Sequence, residues 1–219
     1  MDALTGLHTR GEFERRLHEL PASNETVTVA VLDIDFFKRV NDTHGHEVGD
    51  RVLAGISGHV RAAAAAGSAF GGRIGGDELA LALPGTPLEA AFLRLEQLRA
   101  AVAADGAAIA PTVPEYQPSI SVGLANWPRD VRSVAELMSR ADQALWQAKE
   151  GGRNQVALPV PEEMVLKSNY YPPSQLGRLK RLAEQARKKE SVLLREALED
   201  LLRKYDLRTG DDLGAGLQR

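Results

Sequence analysis

Apolar positions along the first 158 residues alternate between short continuous runs and helical stripes. Residues 27–32 are rich in β-branched side chains and nearly continuous in apolar character, the pattern of a strand buried on both faces, and the run ends at Asp33. From 46 to 60 apolar residues recur at Val48, Val52, Leu53, Ile56 and Val60, which predicts a helix with one buried face. Residues 79–83 predict a second strand, 88–102 a second amphipathic helix, and 119–125 a third strand. A further helix is predicted over 134–149, with Leu137, Ala141, Ala144, Leu145 and Ala148 on one side. Such an alternation assembles as an α/β (α+β) mixed sheet with helices on its faces; the strand order does not follow from the pattern. Beyond a break at Pro159 and Pro161 the rhythm changes. Residues 164–171 predict a lone strand, followed by one helix through Leu176, Leu179, Leu182 and Ala186 and another through Leu193, Leu194, Ala197, Leu198, Leu201 and Leu202. Ser174 and Ser191 are the expected N-caps.

Composition narrows the class. The chain has 219 residues, 43% of them hydrophobic and 26% charged, which suits one or two globular domains. No run of about 18 apolar residues occurs, and Met1-Asp2-Ala3-Leu4 lacks the basic-then-apolar pattern of a secretory signal, so neither a membrane span nor export is expected. The absence of cysteine excludes disulfides and thiol catalysis and fits a cytoplasmic location. Charge divides unevenly. Residues 1–158 carry 15 Lys and Arg against 20 Asp and Glu, whereas residues 159–219 carry 12 against 10. These shifts predict a first domain over 1–158, a linker over 159–163, a small module over 164–205 and a disordered tail over 206–219.

The candidate chemistry gathers at strand ends. Asp33 and Asp35 follow the first strand, and Arg73-Ile74-Gly75-Gly76-Asp77-Glu78 leads into the second. Carboxylates delivered by adjacent strand ends form a hard oxygen site suited to Mg²⁺ with phosphate. Phe36-Phe37-Lys38-Arg39-Val40-Asn41-Asp42 reads as a tight turn into a helix whose free N–H groups can hold phosphate oxygens. Asn41 and Asp50 supply an amide and a carboxylate able to read a purine edge; Lys149 and Arg153 supply cations for a triphosphate. Taken singly, each of these has a plainer reading as a solvated turn residue, a hairpin glycine or a helix-end cation, and His44 and His46 read as capping or packing residues.

Together, in order and spacing, these motifs resemble the GGDEF domain of diguanylate cyclases. The resemblance rests on Asp2-Ala3-Leu4-Thr5-Gly6-Leu7 with Arg10, Asp33-Ile34-Asp35-Phe36-Phe37-Lys38 with Asn41-Asp42, Gly45-His46 with Gly49-Asp50, Arg73 with Gly75-Gly76-Asp77-Glu78-Leu79, Ser121-Val122-Gly123, and Ala141-Asp142 through Lys149, Gly151, Arg153 and Asn154. It implies a homodimer in which two GTP molecules are condensed to cyclic di-GMP and pyrophosphate with Mg²⁺ or Mn²⁺. Carried over by motif, it makes Asp33, the Ile34 carbonyl and Glu78 the metal ligands and Asp77, Glu78 and Lys149 the catalytic residues. Phe36, Phe37, Lys38, Lys149 and Arg153 would face phosphates, and Asn41 and Asp50 guanine. Three positions depart from the pattern: Leu79 stands where Phe is usual, and Thr9 and Trp146 replace Asn and Tyr. Ala66 and Ala69 stand where the family's Arg-x-x-Asp product-inhibition site would lie, so feedback through that site is not expected.

The C-terminal pattern resembles the ribbon-helix-helix family of DNA-binding dimers, in which a strand pairs with its twin and enters the major groove. The resemblance implies DNA contacts from Lys167, Asn169 and Tyr171, or from the alternate strand face, and phosphate contacts from Arg187, Lys188 and Lys189. The usual inter-helix glycine is replaced by Arg187. A module that binds cyclic di-GMP, or that only dimerises the cyclase, satisfies the same pattern. So do a catalytically inactive sensor of GTP or cyclic di-GMP and a nucleotide-switched transcriptional regulator.

Overall fold

The computed structural model describes residues 1–20, 26–65, 67–113, 115–159, 170–186 and 188–206, without the side chains of 195, 199 and 202–206. The chain divides into two compact units, Met1–Glu162 and Glu163–Arg219. The first is built on a six-stranded sheet in the order β1-β3-β4-β2-β5-β6. Its strands are β1 (His8–Thr9), β2 (Val27–Ile34), β3 (Phe70–Arg73), β4 (Glu78–Pro84), β5 (Ile120–Trp127) and β6 (Val156–Ala157). The four inner strands pair antiparallel, and the two outer two-residue strands run parallel to their neighbours. The sheet is therefore mixed.

Alternation along the strands sorts the core into two layers. Ala30, Leu32 and Ile34 of β2, Leu79, Leu81 and Leu83 of β4, and Ile120, Val122 and Leu124 of β5 face one side. There they meet Val52, Leu53, Ile56 and Val60 of α3 (His46–Ala64) and Leu88, Ala91 and Leu95 of α4 (Leu88–Ala104). Val27, Val29 and Val31, with Ala80, Ala82 and Ala125, face the other side, under Phe13 and Leu17 of α1 (Arg10–His18) and Leu137, Ala141 and Leu145 of α6 (Leu137–Glu150). The small residues on this second face let α6 lie close. A Cβ on Gly123 of β5 would stand 2.1 Å from the backbone of Ala141 and Leu145, so α6 runs directly over the middle of the sheet and delivers its last turn to the ends of β2 and β5. Two short helices complete the unit, α2 (Phe37–His44) before α3 and α5 (Gly106–Ile109) after α4.

The elements differ from the sequence expectation in particular places. The helix expected from 134 is a 3₁₀ turn over Val134–Glu136, and α6 begins only at Leu137. In the second unit, α7 (Pro173–Ala186) and α8 (Glu190–Asp206) form the expected helical pair. Ser174 and Ser191 are not its caps, however; each sits one residue inside its helix. Pro173, with fixed φ and no N–H, suits the first helical position, so the Pro172 carbonyl accepts from Gln175 and Leu176. At α8 the Lys189 carbonyl accepts from Val192 and Leu193 and Glu190 opens the first turn. Asp206 closes α8 rather than opening a tail. The remainder of the expected tail, 207–219, and most of the expected strand, 164–169, lie outside the described residues; Tyr170 and Tyr171 have no regular structure.

Candidate active site

The β2–β4 register sets Asp33 opposite Glu78, and the β2–β5 register sets Asp33 opposite Ser121. Cross-strand partners share a face, and for Asp33 and Glu78 it is the face crossed by α6. The last turn of α6 therefore brings Lys149 over the strand ends, where its ammonium lies 2.7 Å from Asp33 Oδ2. Asp77 belongs to the turn joining β3 to β4, where the N–H groups of Ile74 and Gly75 donate to the Glu78 carbonyl. Arg73 braces that turn through the carbonyls of Gly75 and Gly76 and reaches Asp2 at 3.3 Å.

This arrangement concentrates negative charge. Burial holds the Asp33 carboxyl above the usual carboxylate range, with Lys149 opposing and Asp77 and Glu78 adding to the rise. Burial likewise raises Glu78, reinforced by Asp142 and Asp77 against the pull of Lys149 and Arg10. Two half-buried carboxylates that resist ionisation beside each other are relieved by a cation. The oxygen-only donor set of Asp33, Glu78 and the strand-end carbonyl of Ile34 fits a hard divalent ion such as Mg²⁺ or Mn²⁺. Among the described residues no cluster of three or more His, Asp or Glu side chains forms a complete cation site, so remaining ligands would come from water or phosphate.

Beside the carboxylates the backbone turns sharply into α2. Phe36 adopts the left-handed conformation (φ 59°, ψ 24°) as the cap of α2, and the first helical bond runs from Val40 N–H to the Phe36 carbonyl. The N–H groups of Phe37, Lys38 and Arg39 are thereby left without helical acceptors. Lys38 is exposed. Arg153, also at positive φ, lays its guanidinium 5.0 Å from the centre of the exposed Phe36 ring. Asn41 projects from α2 toward α3, and Asp50 is exposed on α3.

The sequence sets Asp35 beside Asp33 at the strand end, but the chain turns it inward, where it is 1% exposed. It accepts from Ser119 Oγ at 2.7 Å, Ser121 Oγ at 2.6 Å and the Asn154 N–H at 3.0 Å. The Tyr116 hydroxyl donates to its backbone carbonyl at 3.4 Å, and burial with Asp35 nearby pushes that phenol up to about 12. Asp35 thus ties the end of β2, the start of β5 and the loop carrying Arg153 into one piece. Sequence reasoning also passed over Arg10 and Asp142 as charges at Glu78; both lie within the matched motifs, and only the packing of α1 and α6 on the sheet brings them there. The departures from the motif pattern fall differently. Leu79 is buried in the core, Trp146 is 63% exposed, and Thr9 caps α1 by its extended backbone.

In the second unit, Lys188 pairs with Glu196 at 2.5 Å, and Lys189 and Tyr171 are exposed. Lys167, Asn169 and Arg187 lie outside the described residues, as does Ala66. Among the described residues no helix is long and apolar enough to cross a membrane.

The family model for the diguanylate cyclase GGDEF domain matches residues 1–155, and that for the ribbon-helix-helix domain matches residues 167–206. The probable diguanylate cyclase DgcC of Escherichia coli is 33% identical over 157 residues, covering 70% of this chain and 41% of that protein. Diguanylate cyclase DgcP of Pseudomonas aeruginosa is 39% identical over 162 residues, covering 71% and 23%. The chain spans less than half the length of these relatives. The GGDEF domain of DgcB from Caulobacter crescentus, solved in complex with c-di-GMP, superposes with a TM-score of 0.67 at 34% identity over 73% of this chain and 95% of that one.

Proposed function

The chain belongs to the GGDEF diguanylate cyclase family, with a ribbon-helix-helix domain at its C-terminal end, and on that premise we propose that it condenses two GTP molecules into cyclic di-GMP and two pyrophosphates as a homodimer. The observation that carries this reading is the cross-strand pair Asp33 and Glu78 with Lys149 held at 2.7 Å above it. Phosphoryl transfer asks mainly for positioning and for neutralisation of oxygen charge. A divalent ion held by Asp33, Glu78 and the Ile34 carbonyl would neutralise triphosphate oxygens. The N–H groups at the start of α2, with Lys38, Lys149 and Arg153, bind the remaining phosphate charge, and Asn41 and Asp50 hold the guanine. In each half-reaction the 3′-oxygen of one nucleotide forms a bond to the α-phosphorus of the other and the bond to pyrophosphate breaks. Asp77, in the turn beside Glu78, assists the metal or takes the hydroxyl proton.

Chromatography of products from GTP tests this directly. We expect cyclic di-GMP and pyrophosphate from the wild type with Mg²⁺ or Mn²⁺, and a loss of at least about 10²-fold in Glu78→Gln with the fold intact. Binding of GTP without turnover by the wild type would instead support a nucleotide sensor.

For the second unit we propose a symmetric pairing of two chains that also binds DNA, with Lys167, Asn169 and Tyr171 on the ribbon and Arg187, Lys188 and Lys189 at phosphates. The ribbon-helix-helix match and the net positive charge of residues 159–219 support this reading. A gel shift whose affinity falls steeply with salt is expected; no shift at low salt would leave a module that only dimerises.

A further inference from the structure

Glycine is a poor choice in the middle of a long helix, being the weakest helix former after proline. Gly49 nevertheless sits buried in the first turns of α3, and the space it leaves is occupied. A Cβ built there would stand 1.9 Å from Asn41 Oδ1, 2.9 Å from Asn41 Cγ and 3.3 Å from Phe37 Cζ. The Asn41 amide therefore occupies the space a side chain at Gly49 would fill, beside the Phe37 ring and one residue before Asp50. The chain between them is short and fixed, since Gly45 at φ 82° ends α2 and begins α3, its N–H bonded to the Asn41 carbonyl and its own carbonyl accepting from Val48 and Gly49. The other two glycines of α3 are less crowded: a Cβ on Gly55 would stand 3.3 Å from the Ile109 side chain. A Cβ on Gly58 of the same helix meets only the tip of Arg61, at 3.7 Å.

We propose that Gly49 is a specificity-determining positioning residue: its missing side chain is the seat that holds the Asn41 amide in register with the Asp50 carboxylate to read guanine. This rests on the reading that Asn41 and Asp50 face the base. The atom that a methyl group would strike is the far end of a flexible side chain, not backbone, so Asn41 can swing aside while the helix pair stays packed. Gly49→Ala should consequently separate recognition from stability. A residue needed only for packing loses both together.

The test measures GTP and ATP affinity by titration, KM and kcat for GTP, and thermal stability, in the full chain carrying Gly49→Ala, Asn41→Ala, both changes, or Gly58→Ala. Gly49→Ala is expected to weaken GTP binding and raise KM about tenfold, with a smaller change in kcat, to narrow the preference for GTP over ATP, and to leave Tm unchanged or slightly raised. Asn41→Ala should give the same loss, and the double variant should lose no more than either single one. Gly58→Ala should bind GTP as the wild type does. If Asn41→Ala weakens GTP but Gly49→Ala does not, or if the two losses multiply, the role assigned to Gly49 is wrong while the guanine site stands. A Tm lowered by several degrees in Gly49→Ala makes the residue structural and overturns the proposal as well. If Asn41→Ala itself binds GTP normally, the placement of guanine fails and the role of Gly49 falls with it.

Discussion

The two units use the same kind of apolar periodicity to opposite ends. In the first, the core-facing stripes of the described strands and helices are covered within the unit: Leu81, Leu83, Leu95, Ile120 and Leu124 are fully enclosed between the sheet and its helices. In the second, α7 and α8 keep Ala183 buried but leave Leu176, Leu182, Leu198 and Leu201 between 45% and 55% exposed. A two-helix hairpin has too little interior to hide such a stripe by itself. An amphipathic pattern thus states that a face must be covered without stating by what, and the difference is between a unit that covers its own apolar stripes and one that leaves a stripe open.

That contrast breaks most sharply at Leu198. Replacing it with Asp places a charge on the face we assign to a second copy, and we expect sedimentation to show a dissociated chain. Linking two catalytic halves through a dimer module raises their effective concentration toward the millimolar range. At sub-micromolar protein, cyclic di-GMP formation per chain should therefore fall about 10²-fold and become steeply dependent on protein concentration. Leu198→Asp protein that remains dimeric would show that this face is not where the chains meet.

The same kind of change in the first unit should act on folding alone. Leu81 is wholly enclosed in β4, and Leu81→Ala should cost about 2–5 kcal/mol of stability from lost burial and the cavity left behind. Urea unfolding at two protein concentrations, followed by a probe in the first unit, is expected to give the same loss at both. A concentration-dependent loss would mean that the sheet, too, is completed by a partner.

How far the sequence carries this picture varies with the signal each element needs. Strands β2, β4 and β5 and helices α3, α4 and α6 are legible because burial on one or two faces writes a period into the residues. Strands β1 and β6 have two residues each, and β3 reads Phe70-Gly71-Gly72-Arg73, where glycines erase any strand preference. Helix α1 shows only Phe13 and Leu17 toward the core, too sparse a stripe to stand out. At the site, motif spacing names the carboxylates, but that Asp33 stands opposite Glu78 is a property of strand register. That Lys149 reaches them follows from α6 crossing Gly123 at close range, which no periodicity reports. Asp35 is the plainest case: two residues from Asp33 in the sequence, it serves an internal network rather than the open end of the sheet.

Asp35 is where the mildest effect is expected, because that effect should stay inside the first unit. The carboxylate uses both oxygens as acceptors, for two serine hydroxyls and the Asn154 N–H. In Asp35→Asn one position becomes an NH₂ group. A serine hydroxyl can rotate to accept from it, but a backbone N–H cannot, so the cost depends on which way the amide settles and amounts to about 1–3 kcal/mol. That range reaches only the lower part of the one expected at Leu81. Because the Asn154 end of the network fixes the loop bearing Arg153, KM for GTP should rise severalfold while the dimer remains intact by sedimentation. Unchanged KM with lowered stability would make Asp35 a fold residue without influence on the phosphate cradle. Loss of the dimer would mean that the ends of β2 and β5 communicate with the second unit, and the separation between a self-completed sheet and a partner-seeking hairpin would no longer hold.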